Sequence, residues 1–167
     1  MVSRTIPMVL SIILLMACSH TNNIIPPSEI ARIETEVATV YKNFEKGLRQ
    51  GKLDEISKLY SQDARFYWVE NGVVAYPDGA SARRALQEFY PSLQQMEFNT
   101  IEKKITVLNA SLAMIFVSYH QEMTFQNNYT LAINGAMTIL MEKTDEHWQF
   151  LIGHSSGKNE NQNSYDE

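Results

Sequence analysis

The sequence predicts an α+β domain in which a curved antiparallel sheet packs around N-terminal helices and encloses a cone-shaped cavity. Three observations predict it. Apolar residues recur at spacings of three and four between residues 30 and 48, the stripe of an amphipathic helix. Residues 98–156 instead read as four long strands separated by tight turns. The helical patterns end before those strands begin, and helices segregated from an antiparallel sheet define the class.

The N-terminus is read separately from the domain. Arg4 is basic, residues 8–16 are an apolar run, and Leu15-Met16-Ala17-Cys18 then matches the box of a bacterial lipoprotein signal: aliphatic, tolerant, small, cysteine. The run is shorter than the roughly 20 apolar residues that span a bilayer core. Cleavage after Ala17 is expected, leaving Cys18 as a lipidated N-terminus that supplies membrane affinity through its acyl chains. An ordinary signal peptide or an uncleaved helical anchor is the alternative. Ser19 follows the cysteine, and by resemblance to well-studied envelope lipoproteins serine there points to the outer membrane, with the domain facing the periplasm. The expected organisation is a signal peptide over 1–17, a lipidated cysteine and tether over 18–28, a folded domain over 29–157, and a disordered polar tail over 158–167.

Composition narrows the function classes. The chain has 167 residues, a formal net charge of −5 and one cysteine. No basic surface suggests nucleic acid. With Cys18 carrying lipid, no disulfide partner remains, so the core alone must hold the domain. The length suits one ordinary domain.

Along the domain, Ser28 is a candidate helix cap after Pro27, and Ile30, Ile33, Val37, Val40, Tyr41, Phe44 and Leu48 form the first helix's apolar stripe. Gly47 and Gly51 bracket its end. Leu53, Ile56, Leu59 and Tyr60 mark a shorter second helix. Residues 64–70 and 73–76 flank Asn71-Gly72, a hairpin signal. Pro77-Asp78-Gly79 reads as a turn, and residues 81–93 as a third helix. Strands follow over 98–108, 112–125, 129–143 and 147–156, with Gly135 marking a bulge or bend in the third.

That order resembles the nuclear transport factor 2-like superfamily, in particular its SnoaL-like and ketosteroid-isomerase-like members. Three stretches carry the resemblance: Gly51-Lys52-Leu53-Asp54-Glu55-Ile56 through Asp63-Ala64, Gly79 through Ala85 to Phe89-Tyr90, and Glu146-His147-Trp148 through His154-Ser155-Ser156. It covers about residues 29 to 157 and implies a cystatin-like α+β roll. It also implies pairing through the sheets, so a homodimer is expected. The ketosteroid-isomerase pattern would put its base near Trp68 and its tyrosine at Phe44, and residues 129–141 hold no acid, so that chemistry is not expected unless Glu70 and Tyr41 substitute.

Candidate catalytic residues are His120, Glu122 and His154. By period-two alternation His154 shares a face with Trp148, Phe150 and Ile152, as either a cavity histidine or a solvated strand-end residue. His120 and Glu122 share a face with Ser118, as either a general-base dyad or a polar patch. Met114 and Phe116 lie on that face too. Tyr41, Phe44, Tyr60, Phe66, Trp68 and Tyr76 are the candidate cavity lining, or simply core. Arg65 and Glu70 read as exposed edge residues or, alternatively, as charges at the cavity mouth, and Asp63 as a turn residue. No metal or other cofactor is expected. Three functions stay open: an envelope lipoprotein binding a small apolar or amphipathic ligand or a protein partner, a cofactor-independent enzyme of proton transfer, hydration or cyclisation, and a dimerisation module without a functional pocket.

Overall fold

The computed structural model describes residues 25–160. The expected signal peptide, the lipidation site Cys18 and most of the tether and tail lie outside that range. Helix α1 spans Pro27–Gln50, α2 Leu53–Ser57 and α3 Gly79–Phe89, the last running into a 3-10 turn at Tyr90–Ser92. The strands are β1 Tyr67–Glu70, β2 Val73–Tyr76, β3 Leu93–Asn109, β4 Leu112–Phe125, β5 Thr130–Thr144 and β6 His147–Asn159. They form one curved, unclosed sheet in the order β2-β1-β6-β5-β4-β3.

Helix α1 starts earlier than Ser28 suggests. Pro27 takes the first helical position, where its fixed φ suits the helix and its missing N–H costs nothing. The N–H groups of Glu29 and Ile30 bond to the Pro26 carbonyl, and no side chain caps the end. The far end closes on Gly51, whose φ of 63° is the left-handed conformation that glycine adopts without a Cβ clash. Ile33, Val37, Tyr41, Phe44 and Leu48 are buried, and the helix lies across β3. The expected stripe is the one that packs.

Helix α3 begins two residues ahead of the expected start because Asp78 caps it: its carboxylate accepts from the Ser81 N–H at 2.6 Å while the Ser81 hydroxyl folds back. The β1–β2 hairpin turns at Asn71 and Gly72, both with positive φ. All strand pairings are antiparallel except β1 with β6, which run parallel because the hairpin adds at the edge of β6. Strand β6 continues three residues beyond the expected 156, and Lys158 and Asn159 pair with Asn134 and Ile133, so the polar tail begins later than its composition suggested.

Two glycines are there for close approach. No register shift occurs at Gly135, so it is not a bulge. A Cβ at that position would meet the Tyr119 ring at 2.5 Å. At Gly153 a Cβ would meet the Trp68 ring at 2.0 Å. Each glycine leaves the inner sheet face flat enough for an aromatic ring to lie on it.

The bulge lies in β6. Ile152 pairs with Leu140 but Phe150 pairs with Met141, leaving Leu151 as the extra residue. A bulge reverses the alternation beyond it. Trp148 and Phe150 therefore face inward, and so do Gly153 and Ser155, whereas Ile152 and His154 face out.

Candidate functional site

The sheet curves over the C-terminal half of α1, and α3 covers the opening. Between them lies a cavity of about 180 Å³. Rings from every side form its wall: Phe44 from α1, Tyr60 after α2, Trp68 from β1, Tyr76 from β2, Phe89 and Tyr90 from α3 and its turn, and Phe98 and Tyr119 from the long strands. The rings lock one another. Phe150 meets Phe44 and Tyr60 edge-on at centroid distances of 5.2 and 5.6 Å, and Phe98 stacks on Tyr119 at 4.8 Å. Such pairs add specific geometry to the burial.

The polar groups at this wall are few and fixed. The Trp68 indole N–H donates to the Ser155 hydroxyl at 3.1 Å. The Tyr90 hydroxyl donates to the Leu48 carbonyl at 3.0 Å, and Gln121 bonds the Met123 sulfur. Burial holds the phenols of Tyr60, Tyr76, Tyr90 and Tyr119 above their ordinary range, so they stay protonated. Among the described residues, Glu70 is the only charged side chain lining the cavity. It follows Trp68 by two on β1 and so shares its inward face. Burial raises its carboxyl above the usual carboxylate range, partly offset by the Tyr76 hydroxyl that donates to it.

Of the six expected lining residues, Phe44, Tyr60, Trp68 and Tyr76 line the cavity. Tyr41 and Phe66 are core instead. Tyr41 is fully buried one turn before Phe44, with its hydroxyl on Thr100 at 3.0 Å, and Phe66 packs under Tyr60. Trp68 and Phe44, where the isomerase pattern would place its base and tyrosine, do reach the cavity but carry no such groups.

The histidines lie elsewhere. His154 is exposed on the outer sheet face, opposite to Trp148 and Phe150, because of the bulge at Leu151. His120 is also on the outer face, where Nδ1 lies 3.1 Å from the Asn134 side chain and 3.5 Å from Glu160. Glu122 is exposed on that face. Strand β5 separates His120 on β4 from His154 on β6. Among the described residues no three His, Cys, Asp or Glu side chains are grouped to hold a metal ion. Arg65 is exposed, paired with Asp63 and Glu142, and its hydrogen bonds hold the Asp63 carboxyl down to about 2.

Sequence reasoning favoured an exposed edge for Glu70 over the cavity mouth, where it lies, and it missed Tyr119 and Gln121. The signal for the last two was the alternation of Ile115, Val117, Tyr119, Gln121 and Met123, whose members all face inward.

A second, larger concavity of about 750 Å³ lies at the other end of α1. Most of its charged side chains are matched to one another. Glu36 accepts from the Trp148 indole at 2.8 Å and from Lys143 at 3.2 Å, Arg32 pairs with Glu29 and Glu36, and Lys143 reaches Glu146. The smaller cavity is the better candidate, because its one carboxylate has no cationic partner lining the same wall.

No curated protein sequence matches the chain. Among solved structures, a candidate scytalone dehydratase from Novosphingobium aromaticivorans superposes with a TM-score of 0.69 at 10% identity, over 77% of this chain and 85% of that one. An NTF-2 like protein of unknown function from Shewanella oneidensis gives 0.59 at 24% identity, over 74% and 98%. A hexachlorocyclohexane dehydrochlorinase, LinA-type3, from Novosphingobium barchaimii gives 0.63 at 13% identity, over 78% and 88%. At these identities the likeness is one of fold. The family model of the SnoaL-like domain matches residues 37–158, which takes in all six strands save the last residue of β6 and most of α1, and the chain belongs to that family.

Proposed function

We propose that this chain is an envelope lipoprotein whose SnoaL-like domain holds a small ligand in the cone beneath α3. One observation carries the reading: a cavity walled by aromatic rings from every layer of the fold, with a few fixed polar tips and one inward carboxylate. Its volume of about 180 Å³ is smaller than a drug-sized site, so the ligand is small. Anchoring rests on the box that ends at Cys18 and on the tether that follows it. No helix among the described residues is long and apolar enough to cross a membrane. In this reading the acyl chains hold the protein to the outer membrane and the domain faces the periplasm. Two copies pairing through their outer sheet faces fit the partly exposed apolar side chains there, Met114, Phe116, Leu140 and Ile152.

A second reading is a cofactor-independent enzyme with Glu70 as its acid or base. The observation favouring it is the raised Glu70 carboxyl, held by Tyr76 against an apolar wall. The outward placement of His120, Glu122 and His154 removes them from that role. The dehydrochlorinase among the structural neighbours shows that this fold can carry chemistry on a small apolar substrate.

Native mass spectrometry of the full chain, expressed with its own N-terminus and extracted from membranes, tests the first reading. The expected spectrum shows a chain starting at Cys18 with the mass of attached lipid, mostly as dimer, and a small molecule that leaves on denaturation. An unlipidated chain would sink the anchor. A lipidated chain carrying nothing, which also fails to take up small aromatic or aliphatic probes, would sink the ligand site.

A further inference from the structure

The cavity wall has an unusual charge balance. Glu70 brings a carboxylate inward, no lysine, arginine or histidine among the described residues lines the same space, and the hydroxyl of Tyr76 is the hydrogen-bond donor set on it. The rings beside it present π faces and edges: Trp68 is on the same strand face, Tyr76 pairs with Trp68 across the hairpin, and Tyr60 stands 5.9 Å from Trp68 between ring centroids. A desolvated anion with no internal counter-charge costs free energy, and a neutral apolar ligand would not relieve it. A cation would relieve it, and the faces of tryptophan and tyrosine attract cations further through their quadrupoles.

From this juxtaposition we propose that the cone selects a small organic cation, an amine or quaternary ammonium, held between the Glu70 carboxylate and the rings of Tyr60, Trp68 and Tyr76. The inference rests on the reading of the cone as a ligand site. Size agrees with it: about 180 Å³ is the space of roughly six water molecules, enough for an alkylammonium head and a short substituent. The phenols facing the cavity, Tyr60, Tyr76, Tyr90 and Tyr119, are all held protonated by burial, so Glu70 alone sets its charge near neutrality. A bound cation stabilises the ionised form of Glu70, so binding tightens as pH rises through the range in which that carboxyl titrates.

The test is calorimetric titration of the full chain in detergent with choline and with 3,3-dimethylbutan-1-ol, its uncharged carbon isostere. Choline is expected to bind at least about tenfold more tightly, the equivalent of 1.4 kcal/mol. Glu70→Gln, checked for folding by its thermal transition, is expected to erase that preference while leaving affinity for the alcohol unchanged. Equal or tighter binding of the alcohol overturns the cation inference and leaves the cone standing as an apolar site. A choline preference that survives in Glu70→Gln overturns it too, placing the cation elsewhere on the chain. If neither probe binds, the inference falls together with the ligand-site reading.

Discussion

Two carboxylates, one at each end of α1, are treated in opposite ways by the same core. Glu36 reaches the Trp148 indole, Lys143 and Arg32, and these partners hold it below the ordinary carboxylate range. Glu70, near the other end, has the Tyr76 hydroxyl and only uncharged side chains lining the cavity with it, and burial holds it above that range. A carboxylate whose lone pairs are already matched to cations belongs to the architecture. One that is desolvated and left without a cation is poised to act on something from outside. The difference is set by what the neighbouring elements carry: β5 and β6 bring Lys143 and Trp148 to Glu36, whereas β2, α3 and β4 bring only uncharged groups to Glu70.

The largest effect expected comes from breaking the wall that desolvates Glu70. Gly153→Ala puts a methyl group 2.0 Å from the Trp68 ring, and backbone or ring must move. Overpacking of this kind costs about 1–3 kcal/mol, here at the upper end because the ring is pinned by its hydrogen bond to Ser155. Urea unfolding followed by tryptophan fluorescence reads both the loss of stability and the displaced indole. A change below about 0.5 kcal/mol would mean that the ring is not seated on Gly153.

At the matched end, Glu36→Gln removes a charge from an ion-paired, partly exposed network and is expected to cost about 1 kcal/mol at neutral pH. The folded carboxyl titrates below the unfolded one, so its contribution is present above the ordinary value of 4.5 and disappears as pH falls through the lowered folded value. Stability measured across the acid range should therefore fall less steeply in the variant than in the parent. An unchanged acid limb would show that Trp148, Lys143 and Arg32 do not hold Glu36 in solution.

Glu70→Gln should go the other way. Here the folded carboxyl titrates above the unfolded one, so the folded state is favoured at low pH and that advantage is lost as pH rises from 4.5 through the raised value. The amide removes the loss, and above that window the variant is expected to match the parent or exceed it by under about 1 kcal/mol. A clear destabilisation at neutral pH would mean that Glu70 has a stabilising partner, and the contrast with Glu36 would collapse.

Much of the fold was legible because long amphipathic elements announce themselves. Strand β4 begins and ends at the expected residues 112 and 125, and the stripe on α1 packs as its spacing implied. Four cavity rings were legible as well, Phe44 from that stripe and Tyr60, Trp68 and Tyr76 from the aromatic-rich stretch after it. Glu70 was not. A charged residue beside a hairpin turn usually faces solvent, and only the parity of a four-residue strand, tied to Trp68, turns it inward. The separation of Tyr41 and Phe66 from the cavity depends on where sheet and α3 leave space, which no local pattern encodes. His154 failed for a sharper reason: a single inserted residue reversed its face.

That reversal leads to the smallest expected effect. Alternation from Trp148 alone would place His154 inside, two residues beyond Ile152 and among the rings; the bulge at Leu151 puts Gly153 and Ser155 there instead. His154 then stands in solvent beside Thr138 and Val69, its neighbours on the adjoining strands. An exposed side chain contributes little, so His154→Ala is expected to change stability by less than about 0.5 kcal/mol and to leave probe binding in the cone unchanged. His120→Ala should behave alike, giving up only a surface hydrogen bond to Asn134 and a contact with Glu160. Weakened ligand binding in either variant would shift the site from the concave face of the sheet to the convex one, and with it the meaning of the single unmatched carboxylate inside.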